Sequence, residues 1–216
     1  MKLYGYYRSS TSYRVRIALA LKNLTPDLIP VNLLKTEQRT PQYRALNPEM
    51  RVPTLIDGEH VLTQSLAIME YLEEKYPSPA LLPTSPEERA RVRALALAVA
   101  CDIAPLGNLG PTRYLQDKLG ITDEQKNEWI RHWIHRGFEA VEAMLSNSSY
   151  TGSFCHGSQP GLADCCLVPQ IYNARRFGCD LRAFPHITSI GDRCAAHPAF
   201  IQARPENQPD FISTVA

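Results

Sequence analysis

The sequence predicts a small α/β domain followed by a larger all-helical domain. Over residues 1–80, apolar runs of strand length alternate with helical patterns, which is typical of an α/β unit. Residues 77–85 are rich in proline and predict a linker between two domains. Over residues 86–216 the apolar residues recur at helical spacing, and no strand pattern follows. The predicted fold class is therefore α/β plus all-α.

The α/β domain is expected to have the element order β-α-β-α-β-β-α. Strands over residues 3–7 and 27–33 flank a helix over 12–23, and such a crossover connection makes the two strands parallel. Asp57-Gly58 is a strong hairpin signal between two further short strands. Because a hairpin pairs its strands in antiparallel fashion, the sheet is expected to be mixed.

In the helical domain, Pro86 begins a long helical pattern that Pro105 and Gly110 interrupt. A later helix carries Trp129 and Trp133 at helical spacing. Aromatic residues at such a spacing are more often core than a cofactor site, and we expect them in the core.

Composition and charge narrow the possible functions. The chain has 216 residues, 44% of them apolar, and a net charge of +1, which gives no footprint for nucleic acid. We expect no membrane span, since no apolar run approaches the roughly 18 residues that it needs, and no secretory signal at the N-terminus. The six cysteines suggest neither a disulfide framework nor a metal site. We therefore expect a cytoplasmic protein without metal, nucleic-acid or membrane partners.

A turn rich in hydroxyl groups joins the first strand to the first helix. Ser9, Ser10 and Thr11 fill this turn, with Ser12 directly behind them. The unpaired N–H groups at a helix start, together with these hydroxyls, can hold an anion. The alternative is that Ser10, Thr11 or Ser12 simply caps the helix.

Two other places in the α/β domain also allow both a structural and a ligand-binding explanation. Pro53 stands directly before a strand, where its missing N–H is tolerated, and a cis bond would turn the Val52 backbone toward a peptide-like ligand. Ser65, preceded by Gln64, starts a helix and can serve either as an N-cap or as a carboxylate-binding residue. Taken singly, each of these features has an ordinary structural explanation.

Together, the three motifs are far more specific. They read Ser-Ser-x-x-(aromatic)-Arg-Val-Arg-Ile-Ala-Leu, then Leu-Asn-Pro-x-x-x-Val-Pro-Thr-Leu, then Gln-Ser-x-Ala-Ile-x-Glu-Tyr-Leu. In this order and spacing the chain resembles the zeta class of glutathione transferases. The second half supports the resemblance through Leu-Ala-Asp at 162–164 and Asn-Ala-Arg-Arg-Phe at 173–177. The resemblance therefore covers nearly the whole chain.

The resemblance implies a thioredoxin-like N-terminal domain that binds glutathione and a helical C-terminal domain that contributes the substrate site. It also implies glutathione as cofactor and a homodimer. At the thiol end of glutathione it assigns Ser9, Ser10, Thr11 and Arg14.

The same resemblance distributes the rest of the glutathione contacts. Gln38 and Val52 would hold the backbone of the tripeptide, with Pro53 in the cis form. Gln64 and Ser65 would hold the γ-glutamyl carboxylate.

From the helical domain, the resemblance assigns Asn108 and Leu109 to ligand contact. The stretch 104–112 departs from the family pattern, which leaves the shape of the substrate end open. Thr11 stands where the family commonly has cysteine. The nucleophile is therefore expected to be the sulfur of glutathione and no residue of this chain.

The activity that the resemblance implies is glutathione-dependent cis–trans isomerisation of maleylacetoacetate to fumarylacetoacetate, in the breakdown of tyrosine and phenylalanine. Ser9 or Ser10 would be the chief donor to the thiolate. Arg8 and Arg176 would bind the carboxylates of the small dicarboxylate substrate, because guanidinium groups match carboxylates. Each arginine could instead lie at the surface or pair with Asp102 or Asp164.

Three alternatives to this activity stay open at the level of sequence. They are maleylpyruvate isomerisation, general glutathione transfer, and a glutathione-binding scaffold without catalysis.

Overall fold

The computed structural model describes residues 1–212 and contains two compact units. The first unit comprises residues 1–81 together with the C-terminal segment from 196, and the second comprises residues 82–195. Up to the linker, the elements are β1 (Lys2–Gly5), α1 (Ser10–Leu21), β2 (Asp27–Pro30), α2 (Pro41–Leu46), β3 (Thr54–Asp57), β4 (His60–Thr63) and α3 (Ser65–Lys75). The predicted order β-α-β-α-β-β-α is confirmed.

The sheet of the first unit has the strand order β2-β1-β3-β4. β1 pairs with β2 in parallel and with β3 in antiparallel fashion, so that Leu3 lies between Leu28 and Leu55. β3 and β4 form the predicted hairpin, with Gly58 at a φ of +60° in its turn. The sheet is therefore mixed, and the thioredoxin-like arrangement is confirmed.

α1 is the central helix of the first unit. Every residue from Ser12 to Leu19 is buried, including two arginines, Arg14 and Arg16. A charged residue is almost never fully buried unless it has partners. These two side chains therefore mark contacts that the apolar pattern alone does not explain.

The second unit consists of helices. They are α4 (Pro86–Leu97), α5 (Leu109–Leu119), α6 (Asp123–Ser146), α7 (Leu162–Arg176) and α8 (Pro185–Ala196). Between α4 and α5 the chain passes through a π-helical turn, Ala98–Ile103, and a 3₁₀ turn, Ala104–Gly107, at the predicted interruption.

The core face of α6 is mainly aliphatic, with Ile130, Ile134 and Phe138 one turn apart. Trp129 and Trp133 lie only half-buried beside this face, which corrects their expected place in the core. The indole N–H of Trp129 donates to the Leu106 carbonyl at 2.9 Å, whereas the Trp133 Nε1 is buried without a hydrogen-bond partner among residues 1–212.

The helical run 86–119 is long and apolar enough to cross a membrane by length and composition, with a mean hydropathy of 1.5 over 18 residues. The sequence analysis had expected no such stretch. Asp102 and Pro105 interrupt the run. Val92 and Val99 of the same run are buried in the core of the second unit.

After α8 the chain forms a last short helix, α9 (Pro198–Ala203), and a 3₁₀ turn, Pro205–Asn207. α9 packs on α1 within the first unit. A helical domain over 86–216 was expected, whereas the structure groups the described residues from 196 onward with the α/β unit. The boundaries of the two domains thus stay a prediction.

Candidate functional site

The hydroxyl turn is built on the N-terminus of α1. Ser9 is the N-cap, and its Oγ accepts a hydrogen bond from the Ser12 N–H at 3.2 Å. The expected cap was Ser10, Thr11 or Ser12. The helix begins two residues earlier than predicted because a tight turn, closed by the Ser9 N–H donating to the Tyr6 carbonyl at 3.0 Å, precedes it.

The hydroxyls of this turn form a directed chain. Thr11 Oγ1 donates to the Val52 carbonyl at 2.8 Å, and Ser9 Oγ lies 2.9 Å from Thr11 Oγ1. Because the single hydroxyl hydrogen of Thr11 points to Val52, Ser9 must donate to Thr11. Ser10 is half-buried, and its N–H, like that of Thr11, belongs to the first turn of α1, which has no intrahelical acceptor. The turn therefore offers N–H donors at the positive end of a helix.

The Val52–Pro53 peptide bond is cis, as expected. Beneath it, the Arg51 carbonyl accepts hydrogen bonds from the Tyr43 hydroxyl at 2.6 Å and from Asn47 Nδ2 at 2.8 Å. Tyr43 and Asn47 are both buried, so this loop is held from the core side. The Val52 carbonyl is already engaged by Thr11, and in residues 1–212 the Val52 N–H has no hydrogen-bond partner.

The third motif lies at the N-terminus of α3. Gln64 occupies the cap position with a φ of +66°, and its Nε2 donates to Glu49 Oε2 at 2.7 Å. Ser65, expected as the possible N-cap, is instead the first residue of the helix and is buried. A left-handed backbone is uncommon for glutamine and marks a residue that its surroundings hold in place.

Arg14 connects the two helix starts. The family resemblance assigns it to the thiol end, but its Nη1 donates to Ser65 Oγ at 3.3 Å. The side chain is only 2% exposed, and its Nε and Nη2 are buried without a hydrogen-bond partner in the described chain. Buried unpaired donors of a cation are costly, so this place suits an anion.

Gln38 provides a further unsatisfied polar group. It lies in the 3₁₀ turn Glu37–Arg39, is buried, and has an Oε1 without a hydrogen-bond partner among residues 1–212. A buried acceptor of this kind fits an N–H donor from a ligand.

The predicted substrate arginines differ in their surroundings. Arg8, half-buried in the first unit, places its guanidinium carbon 5.9 Å from the centroid of the Tyr7 ring. Arg176 ends α7 in the second unit, is exposed, and lies 4.5 Å over the Phe177 ring. The carboxylate of Asp164, one proposed alternative partner, accepts instead from the backbone N–H groups of Cys155 and Gly161.

Burial raises the pKa of Asp164, although those two backbone hydrogen bonds act in the opposite direction.

Asn108 caps α5 through its backbone alone, and the neighbouring Leu109 is exposed. Both residues belong to the second unit.

Two residues at the site were missed by the sequence analysis. Glu49 orients the Gln64 amide, and Arg16 donates to the carbonyls of Tyr6 and Tyr7 just before the hydroxyl turn. A signal for Arg16 was present, because an arginine within an otherwise buried helical run predicts a specific polar partner. Glu49 gave no such signal.

Residues 1–212 contain no group of three or more His, Cys, Asp or Glu side chains that could hold a metal ion.

Residues 3–80 match the family described as the N-terminal domain of glutathione S-transferase. A maleylacetoacetate isomerase from Pseudomonas aeruginosa is 53% identical to this chain, over 97% of this chain and 98% of that protein.

Two solved structures are similar over almost the entire chain. One is a bacterial maleylpyruvate isomerase of the zeta class, 46% identical, with a TM-score of 0.96 over 98% of this chain and 100% of that one. The other is a maleylacetoacetate isomerase from Methylobacterium extorquens with bound malonate and glutathione, 38% identical, with a TM-score of 0.95 over 99% and 100% of the two chains.

Proposed function

This chain belongs to the zeta class of the glutathione transferases, and we propose that it converts maleylacetoacetate to fumarylacetoacetate with glutathione as cofactor. As a member of this family, it is a glutathione-dependent isomerase. The observation that carries the assignment of the cofactor site is the buried Arg14 beside Ser65, whose Nε and Nη2 have no partner in the described part of the chain.

Polar groups of the first unit match the parts of a tripeptide thiol. Arg14, Gln64 and Ser65 would hold the γ-glutamyl carboxylate at the N-terminus of α3. The Val52 N–H and the Gln38 Oε1 would pair with the peptide backbone of glutathione. Neither the Val52 N–H nor the Gln38 Oε1 has a hydrogen-bond partner within residues 1–212, so both are available to a ligand.

Ser9, Ser10 and Thr11 would surround the sulfur at the start of α1. A cysteine-type thiol has a pKa near 8.5, and the positive end of a helix together with donated hydrogen bonds lowers it. When bound, glutathione supplies the thiolate that adds to the cis double bond and leaves after the bond has rotated.

We assign Ser9 as the chief donor to the sulfur. Its oxygen accepts the Ser12 N–H, and a hydroxyl that accepts one hydrogen bond donates a stronger one. Its hydrogen can turn from Thr11 to a bound sulfur without moving the backbone. Ser10 would contribute its N–H.

Arg8 and Arg176 would bind the two carboxylates of the substrate, and Asn108 and Leu109 would contribute ligand contacts from the helical domain. We further propose that the enzyme is a cytoplasmic homodimer. Its glutathione-binding domain would comprise residues 1–80 and its helical domain residues 86–216.

One assay tests the activity. Purified protein is given maleylacetoacetate with and without glutathione, and the cis-to-trans conversion is followed together with the glutathione concentration. We expect conversion only with glutathione, and no net consumption of it. Stoichiometric consumption would indicate a general transferase, whereas binding without turnover would indicate a scaffold.

Maleylpyruvate is the second candidate substrate, because the similar structure with the TM-score of 0.96 is a maleylpyruvate isomerase. Comparing kcat/KM for the two cis diacids under identical conditions decides between them. A tenfold ratio of the two kcat/KM values corresponds to a difference of about 1.4 kcal/mol in transition-state binding.

The substrate arginines are tested separately. Arg8→Ala and Arg176→Ala should raise the KM for the diacid about tenfold or more, as expected for loss of a charge-assisted hydrogen bond, with little change in glutathione affinity. Arg44→Ala and Arg175→Ala, at exposed arginines, are the matched controls. Unchanged kinetics in both test variants would contradict the assignment.

A further inference from the structure

The C-terminal segment of the chain is attached to the turn that leads into Ser9. Arg16, only 8% exposed, donates through Nε to the Ala203 carbonyl at 3.0 Å and through Nη2 to the Tyr7 carbonyl at 2.9 Å. One guanidinium therefore joins the end of α9 to the residue two positions before Ser9.

A second contact reaches the same residue from farther along the chain. The Tyr7 N–H donates to Asp210 Oδ2 at 2.9 Å, and the Phe211 ring meets the Tyr7 ring edge-to-face, with centroids 5.6 Å apart. Both backbone polar groups of Tyr7 are thus held by residues that lie outside the turn.

The segment that carries Asp210 is itself fixed. Gln208 is buried, and its Nε2 donates to the carbonyls of Gln202 and Arg204 at 3.0 and 2.8 Å. The Phe211 N–H donates to the Gln208 carbonyl at 3.0 Å. Asp210 therefore sits on a structured turn and not on a loose tail.

These contacts converge on the geometry of Ser9. The Tyr6 carbonyl accepts from the Ser9 N–H at 3.0 Å and also from Arg16 Nη1 at 3.4 Å. Displacement of the Tyr6–Tyr7 backbone would consequently move the Ser9 hydroxyl and the first N–H groups of α1. Catalytic groups lose much of their effect when they are misplaced by about 1 Å.

We propose that Arg16 and Asp210 are positioning residues for the thiol end of the site, and that the C-terminal segment clamps the turn that carries Ser9. The proposal rests on the proposed function, since it deepens the role of Ser9. Helix capping by itself needs only the Ser9 side chain, whereas this clamp fixes the direction from which the chain enters the cap.

The primary test is Asp210→Ala in the full chain, which removes the acceptor of the Tyr7 N–H. We expect kcat to fall about 5- to 20-fold, with the Kd for glutathione within about twofold, because misplacement affects the reacting sulfur more than the distant carboxylate contacts. The pKa of bound glutathione, measured from thiolate absorbance against pH, should rise. A merely structural contact would leave that pKa unchanged.

Three further variants complete the test. Asp210→Asn keeps an acceptor oxygen and should recover most of the activity. Arg16→Lys keeps the charge but loses the fork that reaches several carbonyls, and it should raise the pKa of the bound thiol as well. Asp27→Ala is the charge-matched control, at an exposed carboxylate of β2 in the same unit.

Hydrogen exchange shows whether the clamp has been released, independently of catalysis. Exchange at the Tyr7 amide should become faster in Asp210→Ala and stay unchanged in Asp27→Ala. Faster exchange together with a wild-type kcat and a wild-type thiol pKa would overturn the proposal. An inactive wild-type protein would instead refute the proposed function, and the thiol titration would still test the clamp.

Discussion

The two ends of the proposed glutathione site satisfy their polar groups in opposite ways. At the thiol end, Ser9 donates to Thr11 and Thr11 donates to the Val52 carbonyl, so the hydroxyls are paired within the protein. At the carboxylate end, Arg14 is buried, and within residues 1–212 it donates to Ser65 while its Nε and Nη2 have no hydrogen-bond partner.

This difference indicates a division of labour. An end with unpaired buried donors gains most when an anion arrives, so it should govern binding. An end whose hydroxyls are already oriented can redirect one hydrogen to a reacting sulfur with little rearrangement, so it should govern the chemical step. Substitutions at the two ends should therefore separate kcat from the affinity for glutathione.

The largest effect is expected at Ser9. Ser9→Ala should lower kcat about 100-fold, as loss of a donor to developing negative charge commonly does. The Kd for glutathione should change little. Steady-state kinetics and glutathione titration measure the two quantities.

Ser10→Ala is the matched control, and we expect its kcat within about threefold of wild type, since only its N–H is assigned a role. Ser9→Ala also removes a helix cap and should cost about 1 kcal/mol of stability. Ser9→Thr keeps both the cap and the hydroxyl and should recover activity. A reversed order of the two alanine variants would refute the choice of Ser9.

Arg14→Met should instead weaken the affinity for glutathione. The Kd for glutathione is expected to rise about 10- to 100-fold, because a hydrogen bond to a charged group contributes about 1.5–3 kcal/mol. The kcat at saturating glutathione should stay within a few-fold. Isothermal titration of glutathione measures the affinity.

The stability of the ligand-free Arg14→Met protein should be unchanged or higher, since a buried cation with unpaired donors is replaced by an apolar side chain. Urea unfolding measures it. Arg44→Met, at an exposed arginine of α2, is the control and should alter neither quantity. A large loss of stability without loss of affinity would show that Arg14 is a structural residue.

Thr11→Val is expected to have a smaller effect. It removes the hydrogen bond to the Val52 carbonyl and should lower the free energy of unfolding by about 1 kcal/mol. The kcat should stay within about threefold, because Ser9 keeps its hydroxyl. A loss of activity as large as that of Ser9→Ala would show that Thr11 itself acts on the sulfur. Thr11→Ser, which keeps the hydroxyl, is the control.

The smallest effect is expected at Tyr6, a buried tyrosine three residues before Ser9. Burial raises the pKa of Tyr6 to about 12, which makes the phenol a poor proton donor to a thiolate. We therefore expect the kcat of Tyr6→Phe within about twofold of wild type.

Because its pKa is raised, Tyr6 should make the free energy of unfolding depend on pH. An unfolded tyrosine ionises near pH 10, whereas folded Tyr6 keeps its proton to about pH 12. The unfolded state is favoured progressively as the pH rises through this interval. Urea unfolding at pH 9, 10 and 11 should show a smaller loss of stability for Tyr6→Phe than for wild type. Equal losses would contradict the raised pKa.

Much of the first unit follows from local sequence. The alternation of strand and helix patterns predicts the element order, and Asp57-Gly58 predicts the hairpin, because both depend on neighbours along the chain. The cis form of Pro53 was expected only through the family resemblance, because about one X-Pro bond in twenty is cis in folded proteins.

The sequence by itself thus determined which residue types gather at the turn, the loop and the helix start. Only the tertiary structure decided how they are connected. Arg14 meets Ser65 across 51 positions, and Arg16 meets the Ala203 carbonyl across 187. Such contacts join elements that share no local pattern, and a buried guanidinium takes the acceptors that packing brings within reach. For that reason the contact of Arg14 with Ser65 and the C-terminal clamp emerged only from the fold.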